Sequence, residues 1–143
     1  MLIESSAICM YLADRYGNGK LAPPVGTIDR GKYYEWMVYI PATADPCLET
    51  IMFHTIFLPE DKRLPQLVDR SKKKWSSVIE PRIASSIGDG PWILGKEFSA
   101  ADVMVGSTLL WAQAANVLGT TPALTHYLER IAKRPAFNEA YTA

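Results

Sequence analysis

An excess of charge of either sign is the first thing this 143-residue sequence lacks, since 15 Lys and Arg balance 15 Asp and Glu. A surface for nucleic acid or an anionic membrane needs clustered basic side chains. The one basic run, Lys72-Lys73-Lys74, is short enough to be a solvated helix face. No nucleic-acid partner is expected. Cysteine is scarce as well: Cys9 and Cys47 stand far apart and form no CxxC, so both read as reduced packing thiols of a cytoplasmic protein. His54 and His126 lack a second His, Cys or acid at ligand spacing, and no metal is expected. No basic stretch leads into an apolar one behind Met1, where Glu4 follows closely, so no signal peptide is expected.

Long apolar runs are also missing. The nearest approach is the stretch from Val103 to Leu128, which holds no Asp, Glu, Lys or Arg. Its apolar part ends near Leu118 and is interrupted by Ser107, Thr108, Gln113 and Asn116. A membrane span takes about 20 predominantly apolar residues. This stretch reads instead as a core helix, and no membrane partner is expected.

Strand signals are nearly absent, whereas helical spacing recurs. Ser5 to Tyr16 carries Ile8, Met10, Tyr11 and Leu12 and stops at Gly17-Asn18-Gly19; Leu21-Ala22-Pro23-Pro24 then reads as a linker. A second helix starts near Thr27–Asp29 with Tyr33, Trp36, Met37 and Ile40 on one face, and Pro41 and Pro46 predict a bend or break in it. A third runs from about Leu64 to Ile87, with a kink predicted at Pro81 and an end at Gly88-Asp89-Gly90. Thr121-Pro122 starts a further helix with Pro at its first position, and Arg134-Pro135 ends it before a last turn around Phe137. The fold class is all-α, a helical bundle with a length suited to one substantial core.

The firmest local instruction is EFSAADVMVG, residues 97–106. Ser99 can cap the first open N–H groups of a helix, and Asp102 at the third helical position can reach back to the N–H of Ser99. Phe98 and Val103 have the spacing of a hydrophobic staple. The helix that follows is apolar almost all round, which predicts the central member of the bundle. With no amphipathic stripe to set its start, it relies on the capping box. Ser99 and Asp102 are therefore assigned to folding and not to catalysis.

Four segments in order resemble the glutathione transferase superfamily, in particular its bacterial cytosolic members. ESSAICMYLADRYGNGKLAPP looks like the junction of that family's two domains, and DRGKYYEWMVYI like the opening helix of its helical domain. WILGKEFSAADVMVGSTLLWA resembles the capped central helix, and RIAKRPAF the terminal segment. The resemblance covers essentially the whole chain. It implies that residues 1–20 are the last helix and linker of a thioredoxin-like domain otherwise missing, and that residues 21–143 are the all-helical C-terminal domain. A truncated chain is expected, without the segment that carries the family's catalytic Ser, Tyr or Cys.

By the same resemblance, Glu4 and Ser5 would hold the γ-glutamyl end of glutathione, the co-substrate. Ser5 can donate to the ligand carboxylate at a helix start, and Glu4 can accept from its ammonium; Ser5 is equally suited to capping its own helix. Tyr39, Asp45 and Trp111 would line the pocket for a small hydrophobic electrophile. On their own chemistry, the two aromatics suit a core or interface and Asp45 suits a cap for the helix after the break. No catalytic residue is assigned within the chain, which by itself is expected to be inactive or weakly active. The family resemblance and the uncovered first helix together imply a homodimer or, failing that, a disordered start. The alternative is a non-catalytic helical protein-interaction module of the same fold.

Overall fold

The computed structural model describes residues 1–142 and shows eight α-helices, with no β-strand among the described residues. They are α1 (Ser5–Tyr16), α2 (Ile28–Tyr39), α3 (Asp45–Met52), α4 (Pro65–Lys74), α5 (Glu80–Ile87), α6 (Ala100–Ala114), α7 (Pro122–Ala132) and α8 (Pro135–Thr142). α6 packs against α1, α2, α3 and α7, so the apolar helix is the centre of the bundle. Ala101, Val105, Leu109 and Ala112 on it are wholly buried. Gly106 gives the Ile131 side chain of α7 room to approach; a Cβ at that position would lie 2.4 Å from its Cδ1, so the Ile131 side chain would have to shift.

Where the prolines predicted a bend, break or kink, the helices are interrupted without being broken. The chain stays helical from Ile28 to Phe57, and again from Pro65 to Ile87. Each trouble spot is absorbed by a π-helical turn: Ile40–Ala44, Phe53–Phe57 and Trp75–Ile79. The closing bonds run from Asp45, Leu58 and Glu80 N–H to the carbonyls of Ile40, Phe53 and Trp75. The next residue in each case is proline: Pro46, Pro59 and Pro81. A proline ring clashes with the carbonyl four residues back. An extra residue in the preceding turn moves that carbonyl away, so at Pro46 and Pro81 the rail continues.

The capping box is present at α6. Asp102 Oδ2 accepts from Ser99 N–H at 2.8 Å and from the Ser99 hydroxyl at 3.1 Å. Oδ1 accepts from Ile93 N–H and from the Tyr127 hydroxyl, both at 2.8 Å. One buried carboxylate thus ties the helix start, the loop before it and α7 together. Burial pushes the Asp102 carboxyl above its usual range, against these donors, which pull it down. Phe98 packs edge-on against Trp92, with the Arg134 guanidinium 3.4 Å above its ring. The first N–H of α6 is satisfied by the Leu21 carbonyl at 2.8 Å, which fixes the linker after α1 to the central helix.

Arg30 secures the same linker. It is buried, donates to the Pro23 carbonyl at 3.0 Å and to Asp14 Oδ2 at 2.7 Å, and lies over the rings of Tyr33 and Tyr34. The hydrogen bond from Arg30 holds the Asp14 carboxyl below its usual range. A carboxyl depressed by folding adds stability above its unfolded pKa of about 3.9, and this is lost as pH falls through the lower folded value. Asp14 is half-exposed, so screening limits the pair to under about 1 kcal/mol. Asp14→Asn is expected to lower the urea midpoint at pH 7 and to leave it unchanged in acid below both pKa values.

Candidate functional site

Two regions gather the candidate residues. The first is the start of α1. Glu4 precedes the helix with φ 69° and ψ 119°, and its carbonyl accepts from Ile8 N–H at 3.0 Å. A non-glycine residue in that backbone region is strained. No side chain caps the helix, so the N–H groups of Ser5, Ser6 and Ala7 are left without an intrahelical partner. Glu4 and Ser5 are both exposed. Aligned N–H groups, a helix dipole and an adjacent hydroxyl can bind a carboxylate, and the Glu4 side chain can accept from a cation.

The second region lies where α3 begins against α6. Asp45 is half-buried, and its Oδ1 accepts from the Thr108 hydroxyl at 2.7 Å. Burial pushes the Asp45 carboxyl up, and the Thr108 bond pulls it back. Asp45 does not act as a cap; it is the first residue of α3, no side chain caps that helix, and its carboxylate points across to α6. Trp111 lies three residues beyond Thr108 on α6, and residues at that spacing neighbour each other on a helix surface. Tyr39 is placed differently. Its ring stands edge-on to Trp36 at 5.5 Å, the Arg82 guanidinium of α5 lies 5.4 Å from it, and its hydroxyl is buried without a partner. The structure therefore joins Asp45 to the α6 face that carries Trp111, while Tyr39 turns towards α5.

Thr108 and the backbone of Glu4 were not singled out by the sequence. Thr108 is one of several polar residues on a largely apolar helix, with Ser107 and Gln113, so the sequence does not mark it out from its neighbours. An apolar groove of about 490 Å³ was also missed; it runs between α1, α6 and α8 and is walled by Cys9, Leu12, Val103, Leu110, Phe137 and Tyr141. Tyr39, Asp45 and Trp111 are not among its walls. His54 accepts from Leu64 N–H at 3.2 Å through Nδ1. Among the described residues, no three His, Cys, Asp or Glu side chains are grouped as a metal site would require, and no helix is long and apolar enough to cross a membrane.

Comparison with known proteins gives a consistent picture. The family model described as glutathione S-transferase, C-terminal domain, matches residues 65–142. A relative named glutathione S-transferase GstA, from Escherichia coli O157:H7, is 30% identical over 146 aligned positions, covering 100% of this chain and 68% of its own length. Disulfide-bond oxidoreductase YfcG from Escherichia coli strain K12 is 27% identical, covering 97% of this chain and 62% of its own. Among solved structures, the theta class glutathione S-transferase of Xanthomonas axonopodis pv. citri with glutathione bound superposes with a TM-score of 0.82 at 21% identity, over 99% of this chain and 68% of that one. At that identity the likeness shows a shared fold. The chain spans about two thirds of the length of these relatives.

Proposed function

Because the chain belongs to the glutathione transferase superfamily, we propose that it forms the helical side of an enzyme joining the thiol of reduced glutathione to a hydrophobic electrophile. The observation that carries this is Glu4. Backbone strain persists only where the surroundings hold it, and it concentrates at ligand sites. Here it stands directly before an uncapped helix start, where an anion is favoured. In this reading the Ser5 N–H and hydroxyl donate to the γ-glutamyl carboxylate of glutathione, and the Glu4 carboxylate accepts from its ammonium. Tyr39, Asp45 and Trp111 border the electrophile, Tyr39 from the α5 side.

The thioredoxin-like part of such an enzyme is mostly absent from these 143 residues. In the proposal that part supplies the group that lowers the thiol pKa, and it packs on the apolar groove between α1, α6 and α8. Residues 1–20 are then the end of the thioredoxin-like domain and residues 21–143 the helical one. The assembly proposed is a cytoplasmic homodimer, for which Tyr34 and Val38, exposed at adjacent turns of α2, offer an apolar face.

The test is a titration of the ¹⁵N-labelled chain with reduced glutathione, followed by amide shifts. Shifts confined to residues 4–8 are expected, with Ser5→Ala weakening binding by about tenfold or more, the loss of one charge-assisted hydrogen bond. Shifts elsewhere, or an affinity indifferent to Ser5→Ala, would remove the glutathione reading. Failure of glutathione to bind while a protein partner occupies the groove would leave the non-catalytic interaction module in its place.

A further inference from the structure

α1 ends in a turn that holds the one Asn-Gly pair of the sequence, Asn18-Gly19. Lys20 N–H donates to the Gly17 carbonyl at 2.9 Å, and the two central residues have φ 49° and 74°. Positive φ at both is the mark of a type I′ turn, for which Asn-Gly is a preferred pair. The base of the turn is firm: Gly17 is buried, and its N–H donates to the Ala13 carbonyl at 3.1 Å. The tip is not. Asn18 and Gly19 are exposed, and a Cβ on Gly19 would meet nothing within 4 Å. Among the described residues, neither the Asn18 side chain nor the Gly19 N–H has a hydrogen-bond partner.

This arrangement suits an attack of the main chain on the side chain. Glycine leaves its own nitrogen unshielded and its backbone free to rotate. The Gly19 nitrogen bonds to Asn18 Cγ, the Cγ–Nδ2 bond breaks, and ammonia departs with the Gly19 N–H proton, leaving a five-membered imide. Water then opens the imide at either carbonyl, giving aspartate or isoaspartate. The attack needs Asn18 to rotate out of the turn, and one hydrogen bond holds the turn closed, so local opening is enough. The other two asparagines lack these conditions. Asn116 also has positive φ, 54°, but the residue after it is β-branched Val117, whose N–H donates to the Ala112 carbonyl at 3.0 Å. Asn138 lies within α8.

We propose that Asn18 is a modification site of this chain, converted through that imide to aspartate and isoaspartate, and that the change loosens α1. Both products put a negative charge just past the C-terminal end of α1, the end of the helix dipole that disfavours it. Isoaspartate also routes the main chain through the side chain and adds a methylene between Gly17 and Lys20. The turn then no longer spans its two fixed ends. One is Gly17 at α1; the other is the linker, where the Leu21 carbonyl accepts from Ala100 N–H and the Pro23 carbonyl from Arg30. Any consequence for a ligand at Glu4 and Ser5 rests on the function proposed above; the modification itself does not.

Ageing the chain at neutral pH and mapping it with trypsin tests the site. Cleavage after Arg15 and Lys20 releases residues 16–20, in which each product gains one dalton and the isoaspartyl form elutes apart from the aspartyl one. Conversion at Asn18 is expected to be at least tenfold faster than at Asn116, where a β-branched follower crowds the nitrogen. It is also expected to fall within about tenfold of the free pentapeptide, as local opening of the turn requires. In the aged fraction, amides of 9–15 in α1 are expected to exchange about tenfold faster than in the fresh chain, with 104–110 of α6 unchanged. The Asn18→Gln chain, aged alike, is expected to keep the fresh rate. Conversion at Asn18 no faster than at Asn116, or more than tenfold below the pentapeptide, would overturn the site. Unaltered α1 exchange in the aged fraction, or faster exchange in aged Asn18→Gln, would overturn the loosening. Neither result depends on glutathione, so failure here and failure of the enzymatic reading are separable.

Discussion

Asp102→Ala is expected to lower the unfolding free energy by about 3–5 kcal/mol, the range of changes that strip several buried groups of their partners. The carboxylate is fully buried and receives four hydrogen bonds, two on each oxygen. Without it, Ile93 N–H, Ser99 N–H and the Tyr127 hydroxyl lose their acceptor where water does not reach. Each such loss costs about 1–3 kcal/mol, less where local relaxation finds another partner. Asp102→Asn should fall between the wild type and Ala. Its amide oxygen can still serve Ile93 and Tyr127, but its NH₂ then faces the Ser99 N–H, donor against donor. Ser99→Ala should cost only about 1 kcal/mol, the usual value of a cap side chain. Urea unfolding of the three variants gives the order directly; an Asp102→Ala protein within 1 kcal/mol of wild type would contradict this account of the central helix.

That network shows where sequence reading reaches and where it stops. Ser99 and Asp102 announce themselves because a cap is a local device: donor and acceptor lie three residues apart, and the apolar run behind them is visible in the same window. Thr27 is legible for the same reason, and its side chain accepts from Arg30 N–H at 3.2 Å. The other two partners of Asp102, Ile93 and Tyr127, belong to a loop and a distant helix, and no local pattern specifies them. The prolines mislead in an instructive way. Their clash with the preceding turn is certain, but a break is only one way to relieve it: a π turn just before Pro46 and Pro81 relieves it while the helix continues. At the candidate site the same division holds. Ser5 at a helix start is visible, whereas the left-handed backbone of Glu4 runs against its residue type and is set by the structure around it. Asp45 reads as a cap because its neighbours are local; its actual partner, Thr108, lies on another helix.

Trp75→Ala is the second large expected effect, at about 3–5 kcal/mol, the usual cost of removing a large buried aromatic. Trp75 is wholly buried at the first position of a π turn. Its indole N–H donates to Glu80 Oε2 at 3.0 Å, the oxygen that also accepts from Gly119 N–H. The absence of a side chain at Gly119 permits this approach, since a Cβ there would lie 2.2 Å from Glu80 Oε1. Losing the indole therefore opens a cavity and also takes one of two donors from a buried carboxylate. Trp75→Phe separates the two contributions. It keeps most of the apolar volume and removes one donor while Gly119 N–H still serves the same oxygen, so a loss of about 1.5–3 kcal/mol is expected, that of one hydrogen bond to a charged group. Chemical unfolding with tyrosine fluorescence or far-ultraviolet dichroism reads both. If Phe proves as costly as Ala, the hydrogen bond to Glu80 dominates and packing is secondary; if Phe is neutral, Gly119 alone suffices for the carboxylate and the indole acts only by filling space.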